Sequence, residues 1–206
     1  EHGFFIHVDP SKTYFSGRLS EQRKMTHKAV LKFRERFQRP LTVFDPYAGV
    51  GPSMAYLYTD SDLTECVYVN DMNPETRDLL ETNMNVFDKK RDADGTYVVG
   101  TMDARLLTSS LPETRTMADV LLVNLPHDGI EHLPDLLPLL SNGQALLCGW
   151  SIIEKSETEA FMNALKAVLH AGNRKIESDK LDIVKGFSAT KSMVRYECIL
   201  SSKTNR

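Results

Sequence analysis

The stretch that decides the fold runs Val43-Phe44-Asp45-Pro46-Tyr47-Ala48-Gly49-Val50-Gly51-Pro52-Ser53. An apolar run ends in an acid, a turn of small residues follows, and a helix then starts. Glycine at positions 49 and 51 permits positive φ and lets bare backbone come close to a ligand. This order predicts the first unit of a doubly wound α/β domain that holds a nucleoside cofactor at the carboxyl end of its first strand.

The same turn lacks two common phosphate-binding patterns. It does not match G-x-G-x-x-G, and it contains no Walker lysine. These patterns bind a dinucleotide pyrophosphate and the phosphates of ATP, so neither ligand suits this turn. Another adenosine-bearing ligand is therefore expected.

Strands and helices alternate on both sides of the turn. The predicted strands lie at 41–45, 66–70, 96–100, 118–123 and 144–149, and the predicted helices at 52–59, 74–86, 130–140 and 154–171. Such alternation builds a Rossmann-like, mostly parallel sheet with helices on both faces. Two last strands near 181–187 and 193–200 have no helix between them, so we expect an antiparallel pair at one edge.

The first 40 residues are expected to form an appendage that packs on a catalytic core at 41–206, in one compact domain overall. Residues 4–8 and 13–16 favour strands on either side of the turn at 9–12, which predicts a hairpin. Residues 23–39 then place apolar side chains at helical spacing among many cations, which predicts an amphipathic basic helix. The cations are Arg23, Lys24, Lys28, Lys32, Arg34, Arg36 and Arg39. They either contact phosphates or form an ordinary solvated face.

The composition limits the class of protein. The chain has 206 residues and a formal net charge of -3, which argues against a surface coated in positive potential. No apolar run reaches the length of about 20 residues that a membrane span needs, so we expect no membrane partner. Three widely spaced cysteines in apolar segments indicate core packing in a reducing compartment, taken as the cytoplasm, with mitochondrion or nucleus as alternatives. The histidines lack ligand spacing, so no metal is expected. The sequence is silent on oligomeric state.

Three further strand ends present an acid or amide where the glycine turn would place a ligand. Asp71 follows the second strand and suits the two ribose hydroxyls of an adenosine. Asn73 is interpreted as the cap of the helix that Pro74 begins. Asp103 follows the third strand and either contacts an exocyclic amine such as that of adenine or caps a short helix at 104–108.

The fourth strand ends in Asn124-Leu125-Pro126. An asparagine before a proline offers a side-chain oxygen and unpaired backbone carbonyls, because proline stops the strand ladder. These acceptors suit a planar amine substrate, although the same tripeptide also occurs in ordinary turns. Trp150, at the end of the next strand, is interpreted as packing in the core or at its rim.

Taken together, the four strand ends resemble those of class I S-adenosylmethionine-dependent methyltransferases. With Tyr14-Phe15-Ser16-Gly17-Arg18-Leu19, Asn70-Asp71-Met72-Asn73-Pro74 and Asn124-Leu125-Pro126, residues 5–150 look like the archaeal and eukaryotic tRNA guanine-N1 methyltransferase family. That family includes the aminocarboxypropyl transferases of wybutosine synthesis, which use the same cofactor.

The resemblance implies S-adenosyl-L-methionine as cofactor and transfer of its methyl group to guanine N1 beside the anticodon of tRNA. N1 carries a proton, so the reaction needs a base and a donor to the growing charge on O6. Arg18 stands in the position of that donor, and Asn124 and Pro126 would hold the guanine edge. The implied cofactor-binding residues are Tyr14, Asp45, Tyr47, Ala48, Gly49, Gly51, Asp71, Met72, Asn73, Asp103, Ala104, Asn124 and Leu125.

One position departs from the family pattern. Where the family has its glutamate base, this chain has Gln22, which cannot accept a proton. Glu21 is the candidate base instead, about 100° away round a helix. The departure keeps two alternatives open: aminocarboxypropyl transfer, or a cofactor-binding module without catalysis. A methyltransferase with a small-molecule or protein substrate also stays open, because a fold does not fix its substrate. The family's RNA-recognition domains are also missing, so either the chain is a fragment that binds tRNA weakly through residues 23–39 or its substrate differs.

Overall fold

The computed structural model describes residues 1–203 of the chain, and only the backbone of residue 185. The described residues fall into two compact units, the first of residues 1–104 and the second from residue 105 onward. Each unit has its own part of a seven-strand α/β fold. The expectation of a Rossmann-like, mostly parallel architecture with antiparallel strands towards the carboxyl end is confirmed.

The first unit is built on three parallel strands in the order β3-β2-β1. Its elements are α1 (Ser20–Arg34), β1 (Leu41–Asp45), α2 (Met54–Leu57), β2 (Thr64–Asn70), α3 (Arg77–Asp88) and β3 (Thr96–Gly100). Asp45 pairs with Val69, and Asn70 pairs with Gly100, so the three strands end at one edge. Apolar side chains of β1, β2 and α3 form the core beneath that edge.

The second unit has the strand order β4-β5-β7-β6. Its elements are α4 (Leu107–Ser110), β4 (Val120–Val123), α5 (Gly129–Leu136), β5 (Ala145–Glu154), α6 (Thr158–Ala171), β6 (Arg174–Gly186) and β7 (Lys191–Ser202). The β4–β5 pair is parallel, and β7 runs antiparallel to both β5 and β6. The predicted antiparallel pair therefore exists, but it is longer than expected and β7 lies inside the sheet, between β5 and β6.

The predicted N-terminal hairpin is wrong, because residues 1–16 contain no strand. The turn does form, since the amides of Lys12 and Thr13 both donate to the Asp9 carbonyl at 3.0 Å. The flanking segments do not pair with each other. Instead, the backbone N–H of His7 donates to Asn83 Oδ1 at 2.7 Å, and the His7 carbonyl accepts from Asn83 Nδ2 at 2.9 Å. The Asn83 side chain thus pairs with the backbone N–H and carbonyl of His7, which a neighbouring strand would otherwise have bonded. Tertiary context here overrides β-propensity.

The basic helix begins and ends earlier than predicted, so α1 stops before Arg36 and Arg39. Arg23 belongs to the predicted cationic face, yet it is buried. Its guanidinium contacts the Glu1 carboxylate through two nitrogens and donates to the Ser16 carbonyl at 3.0 Å. A buried charge needs such a partner. Arg23 therefore fixes the N-terminal segment rather than facing solvent.

Arg174 is a second buried cation, at the start of β6. It donates to the carbonyls of Ser141, Leu140 and Leu137 at 2.6, 2.8 and 3.0 Å. We expect Arg174→Ala to lower the free energy of unfolding by about 2 kcal/mol, because it leaves buried acceptors unpaired. Urea denaturation is the measurement. The neighbouring Lys175→Ala, on an exposed side chain, is the control and should change stability by less than about 0.5 kcal/mol; equal losses in the two variants would contradict the assignment.

Candidate functional site

The glycine turn after β1 has the backbone geometry that its sequence predicts. Gly49 and Gly51 adopt φ of +55° and +75°, which L side chains rarely adopt. A Cβ at Gly51 would lie 2.8 Å from Leu80 Cδ1, so glycine lets the turn pack against α3. A Cβ at Gly49 would meet only the Tyr14 carbonyl, at 4.0 Å. The turn is therefore packed on one side and open beside Gly49.

Asp71 closes this turn from the end of β2. Its Oδ2 accepts the backbone N–H of Gly49 at 2.9 Å, and its Oδ1 accepts that of Asn73 at 3.0 Å. Each carboxylate oxygen keeps a further lone pair, so the group remains able to accept two hydroxyls. The structure thus joins two residues that the sequence placed separately at the ends of two strands.

Asn70 holds the three strand ends of the first unit together, a role that the sequence analysis missed. It is buried, and its Nδ2 donates to the carbonyls of Met102 and Pro46 at 2.9 and 3.1 Å. Its Oδ1 accepts the N–H of Met102 at 3.1 Å. A Cβ at Gly100 would lie 2.7 Å from that oxygen, so the glycine makes room for the amide. The signal in the sequence was an amide directly before Asp71, opposite a glycine.

Asn83 is a second buried amide that the sequence analysis missed. Besides bonding His7, its Nδ2 donates to the Val50 carbonyl in the glycine turn at 2.8 Å. It therefore ties the N-terminal segment to the turn through α3. The available signal was a polar residue on the face of α3 that otherwise buries Leu80, Met84 and Phe87.

Asp45 is the buried acid of the turn, with 1% of its surface exposed. Burial raises the pKa of its carboxyl group, a backbone hydrogen bond from Tyr47 lowers it, and the nearby Asp71 charge raises it, so that the pKa is about 7. Its Oδ1 has no hydrogen-bond partner among residues 1–203. An unpartnered buried oxygen beside an open glycine is what a polar ligand would complete, so these residues fit a nucleoside cofactor.

The remaining predicted residues of the first unit occupy different environments. Asn73 caps the turn that starts at Pro74, because its Oδ1 accepts the N–H of Glu75 at 3.0 Å, which confirms the predicted cap. Asp103 is half-buried directly before the buried Ala104. Tyr14 and Met72 are exposed, and Tyr14 borders a cavity of about 450 Å³ that the segment from Val8 to Phe15 lines. Ala48 links the turn to β2 by donating to the Asn70 carbonyl at 2.9 Å.

The segment Asn124-Leu125-Pro126 follows β4 in the second unit, and two of its oxygen atoms already accept hydrogen bonds. Asn124 Oδ1 accepts the indole N–H of Trp150, and the Pro126 carbonyl accepts from Ser151 Oγ at 2.8 Å and from the N–H of Ile152 at 2.9 Å. The expectation of unpaired backbone carbonyls is therefore wrong for Pro126, and the Asn124 side-chain oxygen already accepts one hydrogen bond. The reason is that β5 continues to Glu154, five residues beyond its predicted end at 149, and supplies donors along the segment.

Comparison with known proteins places this geometry in a family. A model of the TRM5/TYW2 methyltransferase domain matches residues 1–170. The chain belongs to the TRM5/TYW2 methyltransferase family. Its fold is similar to that of M. jannaschii TYW2 in complex with AdoMet, with a TM-score of 0.78 and 17% identity over 98% of this chain and 84% of that one.

Two curated relatives of this TRM5/TYW2 chain are tRNA (guanine(37)-N(1))-methyltransferases. Trm5b of Pyrococcus abyssi is 31% identical over 135 residues, which are 64% of this chain and 34% of that protein. Enzyme 1 of Vitis vinifera is 29% identical over 140 residues, which are 65% of this chain and 20% of that protein. The chain thus matches about a third and a fifth of the length of these two relatives.

The candidate substrate residues of this TRM5/TYW2 chain near α1 are exposed. Arg18 lies in a single turn of 3-10 helix, Gly17–Leu19, directly before α1. Glu21 lies 3.5 Å from Lys24 and 3.7 Å from the His2 ring, while Gln22 is half-buried. Arg34 donates to the Asp62 and Phe37 carbonyls. The outward cations on and after α1 are therefore fewer than the sequence suggested; exposed ones are Lys28, Lys32, Arg36 and Arg39.

Within residues 1–203, this TRM5/TYW2 chain has neither a cluster of metal-ligand side chains nor a helix that could span a membrane. No group of three or more His, Cys, Asp or Glu side chains in that range is arranged to hold a metal ion. No helix in the same range has the length and apolarity needed to cross a bilayer.

Proposed function

We propose that this chain is the catalytic domain of an S-adenosylmethionine-dependent tRNA methyltransferase that modifies N1 of guanosine 37, beside the anticodon. The observation that carries the proposal is the Asp71 carboxylate bonded to Gly49 beside an open glycine turn, in a chain of the TRM5/TYW2 family. N1 of guanosine 37 is the atom that the names of the two curated relatives give as modified, and the proposal carries it over to this chain.

The first unit supplies the cofactor contacts in this proposal. Asp71 would accept hydrogen bonds from the two ribose hydroxyls with its remaining lone pairs, and Asp103 would accept one from the adenine amine. The cofactor supplies a methyl group on a positively charged sulfur, so no protein nucleophile is required. The buried Asp45 oxygen and the open backbone at Gly49 complete the pocket.

Two side chains near α1 perform the proton chemistry in this proposal. Arg18 donates to guanine O6 as negative charge grows there, and Glu21 accepts the N1 proton. The Glu21 carboxylate lies 3.5 Å from the Lys24 ammonium and 3.7 Å from the His2 ring. Asn124-Leu125-Pro126 borders the guanine.

The tRNA partner follows from the same proposal. Lys28 and Lys32 project from α1 and are exposed, which suits contact with phosphates. Phosphate contacts release counterions, so tRNA affinity should fall as salt rises, and a salt-independent affinity would contradict this surface.

We also propose a cytoplasmic location, which fits the three free cysteines of the chain; recovery of the protein in an oxidising compartment would contradict it.

The direct test is incubation of the chain with unmodified tRNA and the cofactor, followed by nucleoside mapping. We expect 1-methylguanosine at position 37. A methyl group on any other atom would contradict the proposal. Calorimetry with the cofactor tests the alternative of a cofactor-binding module without catalysis, because such a module would bind the cofactor and leave the tRNA unmodified.

Aminocarboxypropyl transfer is the second candidate, and Gln22 is the observation that favours it. The residue stands where the family's base is expected, and the fold of the M. jannaschii TYW2 structure is similar. The two reactions leave different products, since methyl transfer releases S-adenosylhomocysteine and aminocarboxypropyl transfer releases methylthioadenosine. Mass spectrometry of the released nucleoside therefore separates them.

Arg18→Ala tests the proposed donor to O6. We expect kcat to fall about 30-fold and KM for tRNA to change less than about threefold, because an exposed donor to a developing oxyanion acts mainly in the transition state. Arg77→Ala is the matched control, since it removes an exposed cation from α3 whose partner is Glu81. An equal loss of kcat in both variants would remove Arg18 from the reaction.

A further inference from the structure

Trp150 and Asn124 stand side by side at the ends of two neighbouring strands. Val123 of β4 pairs with Gly149 of β5, so each of the two residues directly follows a paired position. The indole N–H of Trp150 donates to Asn124 Oδ1. The contact therefore links the substrate segment to the next strand of the sheet.

The chemistry of this contact fixes the orientation of the amide. An indole nitrogen only donates, so it bonds the oxygen of an asparagine and never its NH2 group. The Asn124 amide nitrogen consequently points away from Trp150, and no residue among 1–203 accepts a hydrogen bond from it. The Pro126 carbonyl is filled by Ser151 and Ile152. The Asn124 NH2 group is therefore an available donor at this segment, where the sequence predicted acceptors.

We propose that Trp150 is a positioning residue that holds Asn124 with its NH2 group outward, so that the segment favours a ring carbonyl over an exocyclic amine. This inference rests on the proposed function and deepens it. Guanine presents the O6 acceptor beside N1, whereas adenine presents an amine at the same place. A donor facing an amine leaves both groups unpaired, which is costly in a desolvated site.

The strand that carries Trp150 is closely packed at the preceding residue, Gly149. A Cβ at Gly149 would lie 2.3 Å from Tyr196 Oη and 2.5 Å from the Val123 carbonyl. Trp150 also pairs in register with Arg195 of β7, which is buried and forms ion pairs with Asp182 and Glu197. Directly paired residues share one face of a sheet, so this cluster flanks the indole. The position of Trp150 is thus determined by its neighbours on β4 and on β7.

The chain contains one tryptophan, which permits a nearly isosteric test. Replacing Trp150 by β-(3-benzothienyl)alanine keeps the ring size and removes only the N–H. We expect kcat for guanosine 37 to fall about tenfold, with KM for tRNA within about twofold and cofactor affinity unchanged, because the amide loses its fixed orientation. Unchanged kcat would overturn the proposal.

Asn124→Asp separates a donor from an acceptor. The carboxylate keeps an oxygen for Trp150 and loses both amide protons, so we expect it to lower kcat about 100-fold, as Asn124→Ala does. If the segment acted as an acceptor, Asn124→Asp would retain activity and Asn124→Ala would not. That pattern would refute the inference.

A spectroscopic readout is independent of activity. The single indole N–H gives one resonance in a nitrogen-proton correlation spectrum, and we expect it to shift in Asn124→Ala but not in Asn142→Ala, which alters an exposed turn. A resonance that does not move would overturn the hydrogen bond. A wild-type chain that transfers no group to tRNA would overturn the proposed function and, with it, the catalytic role of Trp150. If the indole resonance nevertheless shifts in Asn124→Ala, the hydrogen bond exists and only the proposed function has failed.

Discussion

Asp71→Ala is expected to weaken the affinity for S-adenosylmethionine by about 100- to 1000-fold, or about 3 to 4 kcal/mol. The change removes the proposed acceptor of two ribose hydroxyls. It also leaves the Gly49 N–H, which Asp71 Oδ2 accepts at 2.9 Å, without its partner. Isothermal titration calorimetry with the cofactor is the measurement.

Two further variants separate ligand contact from damage to the fold. Asp71→Asn retains one oxygen, so it should lose only about tenfold in affinity. Asp78→Ala removes an exposed carboxylate from the first turn of α3 and should leave the affinity unchanged. Thermal unfolding of each variant shows whether it is folded. A folded Asp71→Ala protein with wild-type affinity would remove Asp71 from the site.

Asp45 is expected to make the free energy of unfolding decrease as pH rises from about 4 to about 7. Burial raises its pKa in the folded chain to about 7 from an ordinary value of 3.8, so the folded state keeps a proton that the unfolded state has released. The unfolded state binds fewer protons across this range, and stability therefore falls with pH and levels off above the folded pKa. The total change is about 4 kcal/mol.

The measurement compares wild type with Asp45→Asn in urea denaturation at several pH values between 4 and 8. The amide does not titrate, so the free energy of unfolding of Asp45→Asn should rise relative to that of wild type as pH rises. Asp92→Asn, in an exposed loop, is the control and should run parallel to wild type. A constant difference between wild type and Asp45→Asn would mean that Asp45 is ionised in the folded state throughout.

The strand ends that carry the proposed site were predictable because several local signals agreed there. An apolar run, an acid and a glycine turn occur together at Asp45 to Gly51, and β1 and β3 have the predicted bounds. The Asn73 cap was predictable for the same reason, since Pro74 follows it directly. Parallel strands bring their carboxyl ends to one edge, so Asp45 and Asp71 had to meet once the order was known.

The features that could not be predicted depend on partners far away in the chain. Asn83 lies 76 residues from His7, and its amide replaces the strand partner that the N-terminal segment would have needed. Arg23 matches a solvent-facing cation in periodicity, yet it is buried against the Glu1 carboxylate and the Ser16 carbonyl. The Pro126 carbonyl is filled only because β5 runs past its predicted end. Local patterns carry no information on such long-range pairing.

The Asn83 amide also couples two parts of the first unit thermodynamically. It bonds His7 and Val50 at once, so disorder at either end leaves part of the buried Asn83 amide without a partner. The order of the segment leading to Arg18 is therefore coupled through Asn83 to the order of the turn around Gly49. A ligand that stiffens the turn raises the population in which that segment is ordered. By reciprocity, an RNA bound at Arg18 would raise the affinity for the cofactor by the same factor.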